Sequence, residues 1–313
     1  MKERHFADRL MAEIERKRSQ VVVGLDPRVD RLPAEVREPA YRDHGETASG
    51  AAEAMVAFNR AVVQAVAEHA VAVKPQVAFY ERFGVEGMRA YAATVRAARE
   101  AGLIVIADVK RNDIASTAAA YAAAHLGGAG EGVPHSDDFV VDALTVNPYL
   151  GSDGVEPFLQ AAAQHGGGIF ALVKTSNPSS ADIQDVDCGG GPLYARVAQL
   201  VEQWGAAHRG ASGYSLLGAV VGATYPEELL ALRQAMPHAP LLVPGFGAQG
   251  GGVADVVGAF DEDGLGAVVN SSRGIIFAWQ RAPYESEYGE ARWRDAVGAA
   301  AADMRRSLWD ATH

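Results

Sequence analysis

Eight short runs rich in Val, Ile, Leu and Ala recur along the chain, at 21–26, 71–76, 103–110, 139–147, 169–174, 216–222, 241–245 and 267–271. Each is nearly continuous in apolar character, the pattern of parallel strands buried on both faces. The stretches between them, such as 51–69, 87–101, 116–125, 193–208 and 226–236, are alanine-rich and space their apolar residues for one helical face. Eight strand-like runs alternating with helices predict an α/β chain folded as a (β/α)8 TIM barrel. A doubly wound open sheet is the competing architecture. It normally carries a glycine fingerprint after its first strand, and Val23-Gly24-Leu25-Asp26-Pro27-Arg28 is not one.

The whole chain, 1–313, reads as a single barrel domain. Segment 27–50 holds prolines, many charges and little periodicity, and is expected as a loop inserted after the first strand. Two further polar loops are expected at 127–138 and 178–192, and a closing helix within 285–313. Hydrophobic residues make up 49% of the chain and charged ones 21%, enough to build a large core. The formal net charge of −11 argues against nucleic acid or an anionic membrane as partner, while leaving room for a local basic pocket. One cysteine, Cys188, excludes an intrachain disulfide and a thiolate metal cage. The charged start, Met1-Lys2-Glu3-Arg4-His5, lacks the apolar core of a signal peptide, and no apolar run is long enough to span a bilayer. These features set the expectation of a soluble, cytoplasmic protein.

The third run ends in Ala107-Asp108-Val109-Lys110-Arg111-Asn112-Asp113-Ile114. Residues two apart on a strand share a face, about 6.5–7 Å from one another, so Asp108 and Lys110 are expected to point the same way. The C-terminal end of a barrel strand is where catalytic groups gather. An ordinary surface ion pair is the alternative reading of this segment taken alone. Context weighs against it, because the first run ends in Asp26 and the second carries Lys74. In a barrel, Asp26, Lys74, Asp108 and Lys110 converge at three consecutive strand mouths, and burying so many charges is costly unless they are paired and used.

Two later loops point to an anion. Pro244-Gly245-Phe246-Gly247-Ala248-Gln249-Gly250-Gly251-Gly252 follows the seventh run, and Asn270-Ser271-Ser272-Arg273-Gly274 follows the eighth and opens a helix. Loops after the seventh and eighth strands form the usual phosphate site of such barrels, where backbone N–H groups approach closely.

Asp108-x-Lys110-x-x-Asp113, followed by Ile114 and Thr117, resembles the signature of the orotidine 5′-monophosphate decarboxylases, and the 27–50 insertion with Lys74-Pro75-Gln76 resembles the divergent bacterial branch of that family. The resemblance runs from Asp26 to Arg273. It implies direct decarboxylation of orotidine 5′-phosphate to uridine 5′-phosphate in pyrimidine biosynthesis, with no metal or organic cofactor. Asp26, Lys74, Asp108 and Lys110 would surround the substrate, with Lys110 as proton donor and Asp108 and Asp113 keeping it charged and aimed. Ser176, in Lys174-Thr175-Ser176-Asn177-Pro178, would hydrogen-bond the pyrimidine, and Gln249 and Arg273 would hold the phosphate. It also implies a homodimer in which Asp113, Ile114 and Thr117 complete the neighbouring subunit's site.

Three rivals stand beside it. A sugar-phosphate enzyme of the same barrel group needs a divalent ion and further acidic ligands. A Schiff-base aldolase would use Lys110 or Lys74. A non-catalytic phosphate-ligand sensor has no use for a lysine set between carboxylates.

Overall fold

The computed structural model describes residues 5–128, 134, 136–223, 226–246 and 252–313. Among them, eight parallel strands close into a barrel in chain order, β8 pairing back onto β1 through Val21 and Val269. The strands are β1 (Val21–Leu25), β2 (Ala72–Pro75), β3 (Ile104–Arg111), β4 (Ala143–Val146), β5 (Gly168–Lys174), β6 (Leu217–Val221), β7 (Leu241–Pro244) and β8 (Ala267–Ser271). β1, β2, β4, β6 and β8 are buried throughout, which explains why their sequences are apolar without alternation.

The N-terminal side of the barrel is closed by the helix Phe6–Lys17. Its Phe6 packs edge-on against Phe170, with ring centroids 5.9 Å apart, directly over Gly168. A Cβ at Gly168 would lie 2.1 Å from the Phe6 ring, so only glycine at the foot of β5 admits this plug. Outside the barrel the closing helix Trp293–Thr312 stacks Trp293 on Phe58 of the helix Ala48–Val66 at 5.1 Å. This leaves the C-terminal mouth open for chemistry.

Departures from the expected elements have local causes. Segment 27–50, expected as loop, contains the helix Ala34–His44, which buries only Val36 and carries Pro39 internally, so it shows no apolar stripe. The helix Ser152–His165 carries Gly154 and Pro157 in its first half and buries Val155, Phe158, Leu159 and Ala162 along one face. β4 is shorter than the run at 139–147, and Asp142 stands just before its first residue. Its carboxylate accepts from Val105 N at 2.9 Å and pairs with Arg9 at 2.7 Å. No helix among the described residues is long and apolar enough to cross a membrane.

Candidate active site

The mouths of β1, β2 and β3 carry a row of alternating charge. Lys74 Nζ donates to Asp108 Oδ2 at 2.6 Å, and Lys110 Nζ donates to Asp108 Oδ1 at 2.5 Å. Lys74 and Asp108 are 6% and 7% exposed, so neither charge would be tolerable without the other. Burial lowers the Lys74 pKa, but the Asp108 and Asp26 carboxylates outweigh it and raise the ammonium above its ordinary value. Burial likewise pushes Asp108 up, yet Lys74 and Lys110 together hold it down at about 2. Asp26 continues the row beyond Lys74. Its Oδ1 is buried and has no hydrogen-bond partner among the described residues.

Simple alternation does not bring Lys110 to Asp108. Ala107 pairs with Leu144 and Arg111 with Val146, so four steps along β3 face two along β4, and the strand bulges between them. Lys110 sits at φ +44°, in the left-handed region that non-glycine residues seldom enter. Thr145 of β4, which the sequence reading did not single out, holds this bulge. Its hydroxyl accepts from Val109 N at 3.1 Å and Lys110 N at 2.9 Å, and donates to Asp108 Oδ1 at 3.1 Å.

Lys74, Asp108, Lys110 and Thr145 form the polar wall of a cavity of about 260 Å³. Leu172, Val220 and Leu242 face them as an apolar wall, and Thr175, Ser176 and Asn177 border the same space from the loop after β5. Gln184 fixes that loop, accepting from Thr175 N at 2.9 Å and donating to Thr175 Oγ1 at 2.7 Å. Lys174, also not singled out, is 2% exposed and ion-paired with Asp185 of the loop and with Glu228 at 3.7 Å. A planar ring with polar groups along one edge suits such a slot.

Of the remaining expected residues, Arg273, Asp113, Ile114 and Thr117 do not line this cavity. Arg273 follows β8, is exposed and does not line it. Arg31 lies near Arg273; burial lowers its pKa, reinforced by the charges of Arg28 and Arg273. Gln249, with 247–251, lies outside the described residues. Asp113 Oδ1 accepts from Ile114 N at 2.9 Å. It makes no ion pair with Lys110 of the same chain among the described residues. Ile114 and Thr117 are exposed, at the start of the helix Ala115–Leu126, and do not line the cavity. Ile114 is 51% exposed, Tyr149 and Leu150 are 76% and 46% exposed, and Leu150 lies close to the Asp113 carbonyl. Among the described residues, no group of three or more His, Cys, Asp or Glu side chains is placed to hold a metal ion.

Known proteins resemble this chain over nearly its whole length. The profile of the orotidine 5′-phosphate decarboxylase / HUMPS family matches residues 19–283. The orotidine 5′-phosphate decarboxylase of Rhodopirellula baltica is 48% identical over 303 residues, covering 97% of this chain and 98% of that one. That of Caldicellulosiruptor saccharolyticus is 40% identical over 276 residues, covering 88% and 90%. Among solved structures, the OMP decarboxylase of Leishmania donovani superposes with a TM-score of 0.72 at 30% identity, covering 98% of this chain and 99% of that one.

Proposed function

Since this chain belongs to the orotidine 5′-phosphate decarboxylase / HUMPS family, we propose that its cavity decarboxylates orotidine 5′-phosphate, with the ammonium of Lys110 as the catalytic acid. The observation that carries the reading is the pair of ion bridges from one buried carboxylate, Asp108, to Lys74 and Lys110 at the cavity wall. The bond from pyrimidine C6 to the carboxylate breaks, CO₂ departs, and the electron pair remains on C6 in the ring plane, where no π-system spreads it. A fixed ammonium beside that carbon stabilises the charge as it develops and then hands over its proton, giving uridine 5′-phosphate. Asp108 aims the ammonium and keeps it charged.

The other roles follow from position. Asp26, with its open buried oxygen, and Lys74 receive the ribose hydroxyls. Leu172, Val220 and Leu242 receive the ring face, and Ser176 the polar ring edge. Arg273, at the rim after β8, and Gln249 hold the phosphate. A barrier reduction on the order of 20 kcal/mol exceeds what one lysine supplies, and remote phosphate binding is a source for the remainder. A homodimer completes the site, with Asp113, Ile114 and Thr117 lent to the neighbour. The exposed apolar side chains of Ile114, Tyr149 and Leu150, the last close to Asp113, support that assembly.

Mixing the protein with orotidine 5′-phosphate is expected to bleach the substrate's ultraviolet absorbance and yield uridine 5′-phosphate; no change in absorbance at micromolar enzyme would overturn the proposal. Arg273→Ala is expected to raise KM roughly 10- to 100-fold, the loss of a charge-assisted phosphate contact. It should leave the slow turnover of phosphate-free orotidine unaltered. An unchanged KM would remove Arg273 from the grip.

A further inference from the structure

We infer that Thr145 is the positioning residue of this site: its hydroxyl sets the backbone at Lys110 and thereby the direction of the ammonium. The inference rests on the decarboxylase reading for its catalytic consequence, but its structural half stands on geometry alone.

A threonine hydroxyl has one proton to donate and two lone pairs to offer. At Thr145 all three are committed to two consecutive residues and the carboxylate that precedes them. The amides of Val109 and Lys110 occupy the lone pairs, and Asp108 Oδ1 takes the proton. The bulge between Ala107 and Arg111 displaces those amides from the regular ladder to β4. Thr145 is 1% exposed, and Val109 6%, so water is a poor substitute partner. A buried donor left unsatisfied is destabilising.

The conformation held in this way is a strained one. A lysine at φ +44° lies in the left-handed region that L side chains rarely adopt, and such residues persist only where their surroundings over-determine them. Without the hydroxyl, residue 110 is free to relax towards extended backbone, which swings its side chain off Asp108. Asp108 Oδ1 is the shared point: it receives both the Thr145 hydroxyl and the Lys110 ammonium. One oxygen of β4 therefore fixes both ends of the ion pair, the backbone that carries the lysine and the carboxylate that aims it.

Thr145→Val keeps the shape and removes the oxygen. Its kcat on orotidine 5′-phosphate is expected to fall about a hundredfold, the scale of a misplacement near 1 Å. KM should stay within about threefold, and Thr145→Ser, which restores the hydroxyl, should recover kcat to within about threefold of the parent. Hydrogen exchange gives a readout independent of activity: amides 109 and 110, slow in the parent, should exchange at least about tenfold faster in Thr145→Val. A parent that fails to turn over the nucleotide would sink the decarboxylase reading while leaving this exchange test intact. Parental kcat and parental protection in Thr145→Val would overturn the positioning role. So would equal damage from Thr145→Ser, or the failure of both Thr145→Val and Thr145→Ala to fold, since the hydroxyl would then be holding the barrel and not the lysine.

Discussion

Lys110→Ala is expected to lower kcat roughly 10⁴-fold or more, combining the loss of a general acid with the loss of a fixed charge beside the developing carbanion. Affinity for the product, uridine 5′-phosphate, should stay within about tenfold of the parent, because that ligand has no carboxylate or carbanion for the ammonium to oppose. The fold should survive. Lys110 is half exposed, and Asp108 keeps its second partner in Lys74. Stopped-flow absorbance for turnover and calorimetry for product binding separate the two effects. Turnover within a factor of ten of the parent would show that the proton comes from elsewhere.

Asp108→Asn strikes both the chemistry and the structure. The amide has nearly the shape of the carboxylate but leaves the ammonium of Lys74 buried with Asp26 as its remaining counter-charge. Removing one partner of a buried ion pair costs about 3–5 kcal/mol, and urea unfolding near pH 7 should register a loss of that order. Lys110 loses the group that aims it, and kcat should fall roughly 10³-fold. The pH dependence has a definite sign. In the folded chain Asp108 titrates at about 2 against an ordinary 3.8. A depressed carboxyl contributes stability that is complete above the ordinary value and vanishes as pH falls through the lower one. The stability gap between parent and Asp108→Asn should therefore be constant from pH 8 down to about pH 5 and narrow, without vanishing, towards pH 2. A gap that closes already between pH 7 and pH 5 would mean that another group controls it.

The barrel was legible because buried parallel strands leave a strong mark: β5 and β8 were delimited to within a residue by their apolar runs. Asp108 and Lys110 were legible as a pair from their place at the end of such a run. Their true linkage was not. It depends on a bulge that only the register of two paired strands reveals, and on a threonine 35 residues further along the chain. Thr145 lies in Ala143-Leu144-Thr145-Val146, where nothing distinguishes it from a β-branched packing residue. Lys174 was hidden for a similar reason, since its carboxylate partners Asp185 and Glu228 come from two separate segments that meet only once the barrel closes. Segment 27–50 gave the opposite error. Local composition suggested loop, while the helix Ala34–His44 lies largely on the surface and buries too little to leave a periodic trace.

The row that runs from Asp26 through Lys74 and Asp108 to Lys110 has a direction, negative at one terminus and positive at the other. A nucleotide is itself polarised, with neutral sugar hydroxyls in the middle and an anionic carboxylate on the base. In the proposed pose the hydroxyls donate to Asp26 and the base lies against Lys110. In the reverse pose the carboxylate would meet Asp26 and like charges would repel. On that proposal the barrel would sort poses as a polarised socket sorts plugs, rejecting the wrong one before any covalent event begins.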